Sequence, residues 1–363
     1  MLARRFIING KFLRAESTGV HRVATELANA IAALEAERHP ALESLQFSVV
    51  HTRDGAARAS TMMLPSRAVG PLTGIPWEQV TLPLRKGDTT LLNFCNIGPI
   101  ATRNAITMIH DAQVHLSPES YSRGFRLWYR AIQPILGRRN RAILTVSEYS
   151  KAQIAALGWC PVERIHVVHN GVDHVLRVES DVSPLAVLGL ERGCYVIALS
   201  TTQAHKNIGL LLRAFADPML ADCTLVLVGG TGPAAFAARG MDIPGNIRFA
   251  GRVSDAALRG LIENALCLAF PSTTEGFGLP PLEAMALGCP TIVAPCGALP
   301  EVCGDAALYV APDDAAAWAM AICRLAEPGS QREAMIARGL QRARQFTWRE
   351  AALTLVRLLR TLP

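Results

Sequence analysis

Short apolar runs rich in β-branched residues alternate with helical patterns along the whole chain, and few architectures accommodate that alternation. Runs at 6–8, 47–50, 91–94, 106–109, 143–146 and 165–168 read as strands in the first half, with a long helical pattern at 20–38 after the first of them. The second half repeats the scheme, with runs at 195–199, 224–228, 247–249, 267–270, 291–293 and 308–310 and helical patterns near 207–216, 254–263, 281–287 and 314–326. Apolar strands separated by helices imply a parallel sheet covered on both faces, here twice over in an α/β chain. A length of 363 residues fits two domains that each bury a core. The Asn170-Gly171-Val172-Asp173 turn and the Pro/Ser-containing stretch up to Gly193 mark the boundary. The expected division is therefore 1–175, 176–346 and a tail at 347–363, in which 348–359 reads as an amphipathic helix.

Half of the residues are apolar and the mean hydropathy is +0.23, yet no uninterrupted apolar run approaches the roughly 20 residues of a membrane span. The opening Met1-Leu-Ala-Arg-Arg-Phe-Ile-Ile-Asn9 turns polar too soon for a secretory signal. Nine cysteines without a C-x-x-C pair, several inside apolar runs (Cys95, Cys223, Cys267), read as reduced packing thiols of a cytosolic protein and suggest no metal cluster. The formal net charge of +6 is unevenly placed: residues 1–175 hold 20 Lys+Arg against 13 Asp+Glu, and residues 176–363 hold 16 against 17. A basic first half suggests an anionic partner: lipid headgroups, a lipid-linked diphosphate or nucleic acid.

The chemistry concentrates in Pro271-Ser-Thr-Thr-Glu275-Gly276-Phe277-Gly278-Leu279-Pro280-Pro281-Leu282-Glu283, entered by the apolar run 267–270 and followed by a helical pattern that ends at Gly288. Proline suits a first helical turn, where its missing N–H has no partner to lose. Free N–H groups and the positive end of the helix dipole favour an anion such as a diphosphate there. Gly276 and Gly278 let a ligand approach the main chain. Glu275 is then expected on the loop and Glu283 in the first helical turn. Carboxylates accept hydrogen bonds from hydroxyls, so a sugar joined to a nucleotide diphosphate is the natural ligand.

This stretch resembles the E-x7-E signature of the retaining glycosyltransferases of family 4, which have the GT-B fold of two Rossmann-like domains facing across a cleft, with a C-terminal helix crossing back to the first. By that resemblance the first domain binds the acceptor and the second the nucleotide sugar. Glu283 then accepts hydrogen bonds from ribose, Glu275 from the donor sugar, and main-chain N–H groups around Phe277, Gly278 and Leu279 hold the diphosphate. Lys206, after the run 195–199 and a polar loop, resembles the family's K-N pair and supplies a point charge for the diphosphate. Many relatives carry an arginine shortly before that lysine; here Ser200-Thr201-Thr202 stands instead, so hydroxyls or another basic residue must serve. His110, at the end of the run 106–109, resembles the family's histidine that lies against the donor sugar, and is read as neither nucleophile nor base. Gly19, in Thr18-Gly-Val-His-Arg22, resembles a loop close to donor and acceptor, although a plain helix cap by Ser17 or Thr18 fits too. Val253, in Gly251-Arg-Val-Ser254, falls in the turn that meets the nucleobase.

The segment Tyr121–Arg141 interleaves six arginines with aromatic and aliphatic residues. It reads either as a surface helix with its stripe in the core or as a basic interfacial helix at an anionic membrane face. No nucleic-acid module accompanies the charge. The resemblance implies a retaining enzyme that transfers a hexose without metal or other cofactor, since no D-x-D stands at a strand end. The stretches 9–13 and 18–22 look like bacterial mannosyltransferases of surface polysaccharide assembly, which favours GDP-mannose as donor and a glycan or polyprenyl-diphosphate-linked acceptor at the cytoplasmic face. A UDP-sugar or GDP-rhamnose donor, a nucleotide-sugar epimerase and a non-catalytic glycan-binding protein remain alternatives.

Overall fold

The computed structural model of the chain describes residues 4–14, 18–327 and 329–362. It divides into two compact units, one built on the first 171 residues together with the segment from Thr347 onward, the other on Val172–Phe346. The division falls four residues earlier than the 175/176 boundary read from the sequence, because Val172 already bonds its N–H to the carbonyl of Phe346 (3.0 Å).

The first unit holds β1 (Arg4–Asn9), β2 (Leu45–His51), β3 (Ser66–Ala68), β4 (Thr90–Asn93), β5 (Ala105–Met108), β6 (Ala142–Thr145) and β7 (Ile165–Val167), ordered β3-β2-β1-β4-β5-β6-β7. Every pairing is parallel. The edge strand β3 is exposed along its length, and nothing in its polar sequence announced it. Helix α1 (Gly19–Ala36) turns Val23, Leu27, Ile31 and Leu34 to the core. Thr18 caps it, its hydroxyl accepting from the N–H of His21 (3.4 Å), whereas Ser17 lies outside the described residues. Helix α2 (Arg123–Arg139) divides by halves. From Ile132 onward it buries Ile132, Gln133, Leu136 and Gly137, while its first turns leave Phe125 39% and Leu127 70% exposed beside Arg123 and Arg130.

The second unit holds β8 (Tyr195–Leu199), β9 (Thr224–Val228), β10 (Ile247–Gly251), β11 (Cys267–Phe270), β12 (Thr291–Val293) and β13 (Leu308–Tyr309), ordered β10-β9-β8-β11-β12-β13 and again all parallel. Strands buried on both faces read as continuous apolar runs, which is why this half was readable strand by strand. Helices α3 (Ile208–Phe215), α4 (Leu279–Ala286), α5 (Ala315–Ala326) and α6 (Ser330–Ala343) belong to this unit. Leu211, Phe215, Trp318 and Ile322, from α3 and α5, join Val196 and Leu227 in its core. The chain then re-enters the first unit through α7 (Trp348–Thr361), whose Leu355, Val356 and Leu359 are buried and which packs against α1.

Helix α4 begins at Leu279, two residues before the 281–287 pattern. Gly278 supplies the left-handed backbone (φ +96°) that launches it, and prolines in the first turn cost no hydrogen bond. Glu283 is therefore the fifth residue of the helix, in its second turn rather than its first.

Candidate active site

In an open parallel sheet, ligands bind beyond the carboxyl ends of the strands where the strand order reverses. In the second unit that point lies between β8 and β11, which pair directly (Val196 opposite Cys267). Lys206 follows β8 in the turn Ala204–Lys206, and Glu275 follows β11. Their side chains meet: Lys206 Nζ donates to Glu275 Oε1 at 2.6 Å, with 19% and 9% of the side chains exposed. The ammonium also stands 5.4 Å from the Phe270 ring centroid. Asn207, in a left-handed conformation, steadies the lysine's loop by donating to the carbonyls of Pro271 (3.3 Å) and Pro312 (2.7 Å). Thr273 N–H closes the same junction on the carbonyl of His205 (2.8 Å).

The Glu275 loop is held by Gly297, to which the sequence alone assigns no role. Gly297 has φ +62°, and a Cβ there would sit 2.6 Å from the Glu275 carbonyl oxygen and closer still to its nitrogen. Ala298 N–H then donates to that carbonyl (2.9 Å). Gly276, Phe277 and Gly278 are buried beyond it, the Phe277 ring edge-on to Phe346 at 5.8 Å, and Leu299 packs where a Gly278 side chain would stand. Gly278 caps α4 without a side chain, and Pro280 and Pro281 have no N–H. The N–H groups that remain at the helix start lack intrahelical acceptors, which makes it an end suited to an anion, four residues after the Glu275 that Lys206 contacts.

Glu283 faces a partner that no motif marks: His174 Nε2 lies 3.2 Å from its Oε1, both side chains largely buried. Val253 is half-buried just past β10, ahead of a helix capped by the Ser254 hydroxyl. In the stretch after β8 where the family resemblance implies an arginine, the Ser200 hydroxyl donates to the Thr231 carbonyl (2.5 Å), and Arg239 brings a guanidinium to the Thr202 carbonyl (2.5 Å). Arg252 lies against Gly230, its Nε 2.7 Å from where a Cβ would be. These two arginines are the basic residues at this edge of the unit that sequence reasoning passed over.

The first unit has its own switch point, between β1 and β4, and a small hollow there is lined by Asn9, Lys11, Arg14, His21, Glu78 and Tyr129 among others. Glu78, 2% exposed, is neutralised by Lys11 (2.6 Å) and accepts from Asn9 Nδ2 (2.9 Å). Asn9 in turn donates to Asn93, which donates to Thr107. No motif pointed to Glu78, because its partners lie some 67 residues away in sequence. His110 follows β5 and is buried, with Nε2 2.7 Å from the Phe94 carbonyl, so that nitrogen carries the proton. Burial lowers its pKa to about 4, with the Phe94 bond opposing and His21 adding to the drop. It is therefore a neutral imidazole at pH 7, with Nδ1 as its acceptor. Gly19 begins α1 with nothing within 4 Å of where a Cβ would be among the described residues, so none of those requires glycine there.

Two parallel, doubly wound units, with a lysine and an uncapped helix start converging at the switch point of the second, define a GT-B glycosyltransferase. A sucrose-phosphate synthase from Thermosynechococcus elongatus shares that fold over 99% of each chain, at a TM-score of 0.71 and 18% identity. The model for Glycosyltransferase Family 4 matches residues 17–176, and that for Glycosyl transferases group 1 matches 193–328. The chain is 33% identical to the O-antigen chain mannosyltransferase B of Escherichia coli, over 69% of this chain and 68% of that protein. It is 30% identical to the O-antigen chain mannosyltransferase RfbU of Salmonella typhimurium, over 61% of this chain and 60% of that protein. The chain belongs to glycosyltransferase family 4.

Proposed function

We propose that this glycosyltransferase is a retaining, metal-independent mannosyltransferase of surface polysaccharide assembly. It moves mannose from GDP-mannose to a glycan or polyprenyl-diphosphate-linked acceptor at the cytoplasmic face of a membrane. The observation that carries this reading is the Lys206–Glu275 contact beside the uncapped start of α4, a cation, an anion-binding helix end and a hydroxyl acceptor gathered at one switch point. Lys206 and the N–H groups of that helix start stabilise the diphosphate as negative charge grows on it, which is why no divalent metal is needed. Glu275 accepts hydrogen bonds from the donor sugar, and Glu283, oriented by His174, from the ribose. Arg239 or Arg252 takes the place of the arginine that relatives carry. His110 enters as a neutral hydrogen-bonding group and not as a base.

The acceptor oxygen bonds to the anomeric carbon on the face that the diphosphate leaves. The anomeric C–O bond breaks with its electron pair on the diphosphate, and the acceptor's proton passes to a phosphate oxygen, so the anomeric configuration is retained. Mannose and O-antigen assembly are favoured by the names of the Escherichia coli and Salmonella relatives. Contact with the membrane is favoured by the open first turns of α2, where Phe125 and Leu127 stand among arginines. The test is transfer to a polyprenyl-diphosphate-linked acceptor from GDP-mannose, UDP-glucose and UDP-N-acetylhexosamine, each with and without EDTA, followed by NMR of the new linkage. An α-linked product formed from GDP-mannose in EDTA supports the reading. Transfer from uridine donors alone, or its abolition by EDTA, overturns the donor or the metal assignment respectively.

A further inference from the structure

The amino ends of the strands in the first unit, opposite the edge where such sheets bind substrates, surround a cleft of about 770 Å³. Arg4, Arg5, Arg67, Arg85, Lys86 and Arg141 line it. Arg4 and Arg5 open β1, Arg67 stands in the edge strand β3, Lys86 precedes β4, and Arg141 comes immediately before β6. None of the six forms an ion pair among the described residues. Among the described residues, Asp88 is the single carboxylate in the lining.

The cations are aimed by neutral groups instead. Arg141 Nη1 donates to Asn104 Oδ1 (3.0 Å), Arg4 Nη2 to the Leu362 carbonyl (3.1 Å), Arg67 to the Arg85 carbonyl (3.2 Å), and Lys86 Nζ to the carbonyls of Gly87 (2.9 Å) and Thr89 (3.0 Å). Carbonyls and amides orient a cation without cancelling its charge. Burial holds the Arg141 guanidinium below its ordinary pKa, and Arg4 pushes it the same way. Burial likewise lowers Lys86, which Asp88 only partly offsets. Like charges gathered around one hollow repel each other unless an anion joins them, and guanidinium forks match phosphate oxygens in geometry.

We propose that this cleft is a second anion site, binding a phosphate ester or diphosphate with at least two negative charges independently of the donor-binding residues of the other unit. The same chemistry is offered by a soluble phosphoester and by a phospholipid headgroup. Four proteins separate the possibilities: the wild type, K206A, and two triple variants at the exposed positions, R5Q/R67Q/R85Q and R5K/R67K/R85K. Each is titrated with pyrophosphate in a thermal-shift assay and floated with phosphatidylcholine vesicles with and without phosphatidylglycerol.

The expected result is a pyrophosphate-induced rise in Tm that K206A keeps, the glutamine variant loses and the lysine variant largely retains, which separates loss of ligand from loss of fold. Glutamine-sensitive flotation with phosphatidylglycerol assigns the ligand to a headgroup. Flotation equal in all four proteins, with the Tm response lost only in the glutamine variant, assigns it to a soluble phosphoester. The proposal is overturned if the glutamine variant responds to both probes as the wild type does, or if K206A alone abolishes the pyrophosphate response.

Discussion

Two glycines that look alike in the sequence should respond in opposite ways to a single methyl group. At Gly297 the backbone is left-handed (φ +62°), and a Cβ would press on the main-chain nitrogen and carbonyl oxygen of Glu275. The left-handed conformation costs a residue with a Cβ about 1–2 kcal/mol. Forcing a methyl group into packed space adds about 1–3 kcal/mol. Together these put Gly297→Ala at roughly 2–5 kcal/mol of destabilisation, or roughly 5–15 °C in Tm for a unit of about 175 residues. Because both obstructing atoms belong to Glu275, the displacement is delivered to that residue, and an error of about 1 Å in a positioned group lowers turnover about a hundredfold. At Gly19 no described residue lies within 4 Å of the Cβ position and the backbone is helical, so Gly19→Ala should leave Tm unchanged or raise it slightly. If Gly19 faces a substrate, the transfer rate of that variant falls while its Tm holds. Differential scanning fluorimetry and a transfer assay on both variants decide the matter. Wild-type Tm and rate in Gly297→Ala would refute the steric reasoning, as would a lowered Tm in Gly19→Ala.

Lys206→Ala should slow transfer by about 10²–10³, the loss typical of a donor aimed at developing charge, and should also lower Tm, because it leaves the largely buried Glu275 carboxylate without its cation; a parent rate would remove the lysine from the mechanism. Lys11→Ala leaves the Glu78 carboxylate buried without its cation and should destabilise the first unit by roughly 3 kcal/mol, at the lower end for a broken buried pair because Lys11 is a quarter exposed. Glu78→Gln should be milder, and urea denaturation in which Lys11→Ala matches the wild type would show the pair to be idle. His110 binds its proton less readily folded (pKa about 4) than unfolded (about 6.5), so its contribution is full above pH 6.5 and drains away as pH falls toward 4. The difference amounts to about 3 kcal/mol, and below pH 4 both states are protonated. The drop in stability between pH 7 and pH 4.5 should therefore be smaller in His110→Asn; equal drops would locate the acid sensitivity elsewhere.

Which parts of this molecule were legible follows from how far apart the interacting residues lie. The strands Tyr195–Leu199, Thr224–Val228 and Cys267–Phe270 are buried on both faces, and their composition alone marks them. Ser66–Ala68 pairs as an edge with all three residues exposed, so it carries no apolar signal. The start of α4 is not legible from its prolines, which read as a helix opening, because the left-handed backbone at Gly278 opens it earlier. Lys206 and Glu275 could be placed on separate loops from the sequence, but their meeting at 2.6 Å depends on β8 and β11 being neighbours. His174 beside Glu283, Gly297 against Glu275 and Lys11 on Glu78 are pairings between distant segments, visible only once the sheet order is known.

The ion pair at the switch point has a consequence for the end of the catalytic cycle. Lys206 has its counter-charge in Glu275. In the proposed mechanism a bound nucleotide sugar divides the two, drawing the lysine to its phosphates and the carboxylate to its sugar hydroxyls. Once the sugar has left, the carboxylate is without a partner and competes with the spent nucleotide for the same ammonium. On that mechanism Glu275 is an internal rival of the leaving product, and an enzyme deprived of it should be inhibited by free nucleoside diphosphate at lower concentrations than the parent.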